Sequence, residues 1–290
     1  MTNRKVFRVK VNSGTLVLGK RTLVMGVLNV TPDSFSDGGK FFSLKRAVAA
    51  ALAMERNGAD ILDIGAESTR PGSTGISTEE ELRRLLPVLQ ALQGRLKIPI
   101  SVDTQKSEVA EAAIAAGAEI INDISGLKND LALAEVAAKH RVPLVLMHMR
   151  GTPLTMQKGP FAKNVLRDVM SGLRRSVIIA RSAGVAKSMI ILDPGIGFGK
   201  SYEQNYELLA KLSAIAKLDF PLLVGTSRKG FLGQTLARDG KPAAAEKRIW
   251  GTAATVAASI LNGAHIVRVH DVEEMAQVAK VADAVARGGR

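Results

Sequence analysis

Eight short apolar runs in this chain each end in side chains able to bind or react. Asn29 closes the first, Asp63 the second with Glu67-Ser-Thr-Arg-Pro71 behind it, and Asp103 the third. Asn122 and Asp123 end the fourth, Met147 and His148 the fifth, and Asp193 the sixth. Gly225 and Ser227-Arg-Lys229 follow the seventh, while Arg268 and His270 close the eighth. Carboxylates and an asparagine around one mouth suit a flat heterocycle rich in N–H donors, because a carboxylate accepts two parallel N–H bonds. Lys229 can donate to a ring carbonyl, and Arg268 can stack its guanidinium on a ring or pair with an anion. Arg70, Ser227, Arg268 and His270 together make an anion-holding group.

Asp193 leads into a loop with glycine at 195, 197 and 199, whose backbone can lie flat against a ligand. Neither familiar phosphate cradle fits it. Pro194 stands where a Walker motif needs its first glycine, and the glycine spacing is not that of a dinucleotide fingerprint. The four histidines are scattered and no H-E-x-x-H occurs, which argues against catalytic zinc. Magnesium held by substrate phosphates and one side-chain oxygen leaves little sequence trace and stays open. Taken singly, the same residues have plainer readings. Asp103 and Asp123 can cap following helices, Met147 can be core, His148 can orient a loop, and His140 and His265 read as structural.

The pattern that must position these residues alternates strand and helix. Runs 23–30, 60–65, 98–103, 119–123, 143–148, 188–193, 221–225 and 265–269 read as strands. Helical patterns follow at 43–57, 78–93, 107–116, 130–139, 163–183, 203–218, 244–261 and 272–286. Thr78 with Glu81 three residues on has the form of a capping box. Glycines 58, 117, 184 and 263 precede the even strands, and Pro99, Pro143 and Pro221 enter the third, fifth and seventh. Eight such units predict an α/β fold, a (β/α)8 TIM barrel with active-site residues at the strands' C-terminal ends. Stretches 6–11 and 15–18 add a short N-terminal β-hairpin. No linker divides residues 1–290, so one domain is expected, with an open doubly wound sheet as the other arrangement weighed. The polar loops 31–40 and 70–75 would lie over the barrel mouth as lids.

Composition narrows the class. The 290 residues are 46% hydrophobic and contain no cysteine, which excludes disulfides and thiolate chemistry and suits a cytoplasmic setting. No run approaches the ~20 apolar residues of a membrane span, and the start lacks a signal-peptide core. The net charge of +13 is scattered, and only 4% of residues are aromatic, so no nucleic-acid platform forms.

The ordered segments Asn29-Val-Thr-Pro-Asp-Ser-Phe-Ser-Asp-Gly38, Glu67-Ser-Thr-Arg-Pro-Gly72, Val102-Asp-Thr104 and Asn122-Asp-Ile-Ser-Gly126 resemble the dihydropteroate synthase family. Met147-His-Met-Arg-Gly-Thr-Pro153, Asp193-Pro-Gly-Ile-Gly-Phe-Gly-Lys200, Ser227-Arg-Lys229 and Arg268-Val-His-Asp271 extend the likeness over Thr22 to the C-terminus. It implies condensation of p-aminobenzoate with 6-hydroxymethyl-7,8-dihydropterin diphosphate, in folate biosynthesis, by an SN1-like route. It assigns Asp103, Asn122, Asp193 and Lys229 to the pterin, with Met147 against the ring. Arg268 and His270 would hold pyrophosphate, and Asn29 would ligate its Mg²⁺. Asp103, Lys229, Arg268 and His270 are thereby the expected catalytic set. Phe35, Thr69, Arg70, Pro71, Phe198 and Ser227 would form the p-aminobenzoate site. A homodimer through the last helices is also implied. Gly230 departs from members with serine there, whose hydroxyl lies near the p-aminobenzoate carboxylate. The alternatives are a pterin-binding methyltransferase domain, which has no use for the anion group, and a barrel that has lost catalysis.

Overall fold

A computed structural model describes residues 4–31, 39–70 and 72–288. Phe35 and Pro71 therefore lie outside the described residues. The expected hairpin is present as β1 (Phe7–Val11) and β2 (Gly14–Leu18). The eight barrel strands are β3 (Leu23–Asn29), β4 (Ile61–Gly65), β5 (Ile100–Asp103), β6 (Ile120–Asp123), β7 (Leu144–Met147), β8 (Ile190–Asp193), β9 (Leu223–Val224) and β10 (Ile266–Val269). The helices between them are α1 (Gly39–Arg56), α2 (Thr78–Leu92), α3 (Ser107–Ala115), α4 (Ala132–His140) and α5 (Val165–Ser182). They continue with α6 (Tyr202–Ala210), α7 (Leu212–Ala216), α8 (Gly230–Thr235), α9 (Ile249–Leu261) and α10 (Val272–Ala286). The strands run parallel in the order β8-β7-β6-β5-β4-β3-β10-β9, and a parallel bridge between Leu192 and Leu222 brings the two ends together. This is the expected TIM barrel.

Period-two alternation decides what enters the barrel. Met25, Ile61, Ile120, Val145, Ile191, Leu223 and Ile266 fill its lower interior as one apolar cluster. Val9, Val11 and Leu18 of the hairpin belong to that same cluster, so β1–β2 plug the N-terminal mouth. Two residues further along the strands, the same alternation brings Asp63, Asn122, Met147, Asp193 and Arg268 inward. The apolar floor and the polar site are successive layers of one pattern.

The glycine and proline punctuation has a structural counterpart. Gly58, Gly117, Gly184 and Gly263 all have φ between 95° and 107°. The carbonyls of Pro99, Pro143 and Pro221 accept from Leu62, Ile121 and Leu192 on the preceding strands. Proline thus enters a strand through its acceptor while its missing donor goes unneeded.

Several boundaries differ from the sequence reading. Ser77, not Thr78, caps α2, accepting from the Glu80 N–H at 3.3 Å. Glu81 is fully buried against Lys106 at 2.5 Å and so cannot reach back to close a capping box. The pattern at 203–218 divides into α6 and α7. The short α8 went unpredicted, because Gly230 and Gly233 depress helix propensity there. Strand β9 shrinks to two residues between Pro221 and the turn at Gly225.

Candidate active site

The site is built around Asp63, fully buried on β4. Its Oδ2 accepts from Asn122 Nδ2 at 3.0 Å and from Arg268 Nε at 2.6 Å. The first bond fixes the asparagine's amide, turning its carbonyl oxygen away from Asp63. The second braces Arg268, whose Nη2 also donates to Asp103 Oδ2 at 2.6 Å. Among the described residues Nη1 has no protein partner, so the guanidinium keeps donors for a ligand. Burial opposes the charge on Arg268, but Asp63 and Asp103 outweigh it and raise its pKa. For Asp103, burial dominates and pushes the carboxyl up to about 7 against the pull of Arg268. Asp63 stood out in sequence only as a strand end. Its hub role needed the register that places it beside β5 and within reach of β6 and β10.

Across the mouth, Asp193 is 6% exposed and accepts the Gly195 N–H through Oδ1 at 2.7 Å. Burial raises its pKa, with Lys229 opposing. Burial lowers Lys229 to about 8, Asp193 opposing in turn. The Lys229 ammonium donates to the Ile196 carbonyl and lies 4.3 Å from the Phe198 ring centroid. Phe198 also packs on the cluster of Ile124, Met147, Met149 and Met156. The alternating glycines now have a cause. A Cβ on Gly195 would sit 1.9 Å from the His148 carbonyl oxygen, and one on Gly199 would sit 2.2 Å from that of Arg150. The loop is pressed onto the end of β7, and its glycines serve protein packing as well as any ligand.

Ser227 and His270 form a pair on the anion side. Ser227 Oγ accepts the His270 backbone N–H at 3.2 Å and lies 3.0 Å from Nδ1. The hydroxyl can donate to Nδ1 or accept from it, since one oxygen lone pair stays free beside the backbone bond. Burial, then Arg268 and Arg228, lower His270 to about 4, leaving it neutral in the free protein. Ser227 thus stands with His270 in this structure. Between these two residues and Lys229 the chain turns through Arg228, at φ 58°, whose guanidinium grips Asp271.

Of the remaining expected residues, Asn29 ends β3 beside β10 and is half-buried. Thr69 is half-buried and Arg70 exposed on the β4–α2 loop, where Gly72 N–H donates to the Pro153 carbonyl at 2.9 Å. Asp123 does not cap α4, which begins at Ala132; its carboxylate instead accepts from the Ser125 and Leu127 N–H groups in the turn after β6. His265 is structural, bonded to Leu222 N–H and the Lys5 carbonyl at 3.1 Å each. His140 pairs with Glu111 at 2.9 Å. No group of three or more acidic, histidine or cysteine side chains fit to hold a metal occurs among the described residues. No helix among them is long and apolar enough to cross a membrane.

The family model described as pterin binding enzyme matches residues 25–270. A dihydropteroate synthase of Synechocystis sp. is 51% identical over 269 residues, covering 93% of this chain and 92% of that protein. The solved dihydropteroate synthase of Xanthomonas albilineans with 4-aminobenzoic acid is 42% identical, with a TM-score of 0.89 over 97% of this chain and 98% of that one. The same organism's enzyme in complex with 7,8-dihydropteroate is 40% identical, with a TM-score of 0.85 over 96% and 98%.

Proposed function

The chain belongs to the dihydropteroate synthases, within the pterin-binding enzymes, and on that premise we propose how its site works. The pterin diphosphate lies between Asp193, Lys229 and Asn122 on its ring edges and Arg268 and His270 at its diphosphate. The observation that carries this reading is the Asp63 hub. One carboxylate oxygen aims Asn122 at the ring and braces Arg268 toward the leaving group.

The reaction is SN1-like. The bond from the pterin methylene carbon to the diphosphate oxygen breaks first, and the diphosphate leaves with the electron pair. Its growing charge meets the Arg268 guanidinium, already braced by Asp63 and Asp103, and the His270 ring beside it. The methylene cation is conjugated with the ring, and Asp103 stabilises it electrostatically. The amine of p-aminobenzoate then forms the C–N bond and loses its extra proton to solvent or diphosphate. No strong base is required. Thr69, Arg70 and Phe198 line the second substrate's side, and a relative solved with 4-aminobenzoic acid supports that choice of substrate.

Asn29 offers one neutral oxygen and no acidic cluster accompanies it among the described residues, a donor set that fits Mg²⁺ held mainly by substrate phosphates. Bound there, Mg²⁺ would supply further charge neutralisation to the diphosphate. The test is pyrophosphate release with the pterin diphosphate and Mg²⁺, with and without p-aminobenzoate. Absence of dihydropteroate with both substrates present would sink the assignment.

Gly230 opens α8 with nothing within 4 Å of an added Cβ. Gly230→Ser therefore fits without displacement. A hydroxyl there is expected to lower the KM for p-aminobenzoate about fivefold, the worth of roughly one hydrogen bond. A KM that stays put or rises in steady-state assays would count against a carboxylate near α8.

The assembly we propose is a homodimer through α9 and α10. These helices pack on each other and on β10, yet Trp250 is 79% exposed, with Leu261, Val281 and Val285 exposed on the same pair. Exposed apolar side chains along both helices favour a second apolar surface. Trp250→Glu is expected to shift sedimentation from dimer to monomer at micromolar concentration. A monomeric unaltered protein would refute the interface.

A further inference from the structure

We infer that Lys200 is a positioning residue for the second substrate, its buried ammonium tying the β8–α6 loop to the end of β7 and so fixing Phe198. The inference rests on the proposed place of p-aminobenzoate beside Phe198.

Lys200 is among the largest fully buried side chains of the described residues, 1% exposed. Its Nζ donates to the Phe198 carbonyl at 2.9 Å and the His148 carbonyl at 3.1 Å, and lies 3.2 Å from His148 Nδ1. An ammonium has three donors and no acceptor, so all three protons are used. The acceptors lie on only two segments, and both frame the site. One is the glycine loop that carries Phe198. The other is the turn that follows Met147.

The imidazole is prepared for this bond. Because Nδ1 accepts, Nε2 keeps the ring proton and faces Asp168 Oδ2 on α5 at 3.5 Å. Burial lowers His148 to about 2, so the ring stays neutral. Gly172, on the same helix, makes room for it, since a Cβ there would meet His148 Cδ2 at 2.4 Å. Burial also lowers Lys200, to about 7, with Asp193 opposing.

A purely structural lysine would be a poor solution at this place. A methionine fills similar space without an ammonium to desolvate. What an apolar residue lacks is a way to restrain the loop. Gly195, Gly197 and Gly199 all have positive φ, and each glycine widens the conformations open to the free segment. The Phe198 ring that this loop carries must stay against Lys229 and the methionine cluster. Lys200 supplies the restraint from behind, touching neither substrate.

Lys200→Met and His148→Gln, each in the full chain, test this by separating the two substrates. The readouts are the KM for p-aminobenzoate, kcat, calorimetric affinity for the pterin diphosphate, and thermal denaturation. Lys200→Met is expected to raise the p-aminobenzoate KM about tenfold or more, a scale fitting misplacement by a fraction of an ångström. Pterin diphosphate affinity should change less than about threefold. His148→Gln, which keeps the carbonyl acceptor and loses the ring, should show the same pattern at about three- to fivefold. A folded Lys200→Met with its p-aminobenzoate KM unaltered would overturn the inference. So would a proportional loss of kcat and both affinities tracking the unfolded fraction, the mark of a merely structural role. If Lys200→Met does not fold, His148→Gln decides by the same criteria. Absence of turnover in the unaltered enzyme would sink the assigned reaction, and this inference with it.

Discussion

Asp193→Asn is expected to weaken pterin diphosphate binding by ~100-fold or more while leaving the fold intact, since charged hydrogen bonds contribute about 1.5–3 kcal/mol each. The amide oxygen can still accept the Gly195 N–H, so the loop keeps its anchor. The NH₂ that replaces the second carboxylate oxygen, however, faces donors on the ring edge. Two donors directed at one another leave both unsatisfied, and the site is too enclosed for water to repair them readily. Lys229 also loses the anion that opposes its burial, so its pKa falls further below about 8. The variant should therefore titrate Lys229 nearer neutrality. Calorimetry with the pterin diphosphate at pH 7 checks the first point, and a change under about fivefold would reject the role of Asp193.

Why Asp193 was legible in sequence, and Asp63 in its full role was not, follows from range. A four-residue apolar run ending in an acid and a glycine loop is a local pattern, and β8 has that form. The barrel was legible for the same reason, as a repeated βα unit with glycine and proline at fixed places. Asp63 acquires its role only through contacts to residues 59 and 205 positions away. Glu81 is a similar case. Its spacing from Thr78 suggested a helix cap, whereas burial beside Lys106 spends its carboxylate elsewhere. The shared lesson of Lys200 is sharper still. It reads as the lysine of a failed phosphate motif, and only packing shows an ammonium with protein acceptors at all three protons.

Arg268→Met is expected to destabilise the free enzyme by about 3–5 kcal/mol at neutral pH, because it strips a guanidinium from two buried carboxylates. Asp63 is fully buried and Asp103 nearly so, and each loses a 2.6 Å ion pair. The loss has a pH signature whose sign can be fixed. Burial raises Asp103 to about 7 even with Arg268 opposing, so without the arginine the carboxyl rises further. An acid whose folded pKa lies above its unfolded value contributes stability that is complete below the unfolded value, ~3.9. That contribution is lost as pH climbs through the folded value. The deficit of the variant relative to the unaltered protein should therefore be smaller at pH 5 than at pH 8. Denaturant unfolding at the two pH values measures it, and equal deficits would reject the ion-pair account. Turnover should fall by a further ~100- to 1000-fold for loss of a donor to the leaving diphosphate. Asp63→Asn in the same background should recover stability, since it removes one orphaned charge, and recover no turnover. Stability and catalysis would then separate at one residue, as they must if Asp63 and Asp103 hold Arg268 in place for a charge that develops only during reaction.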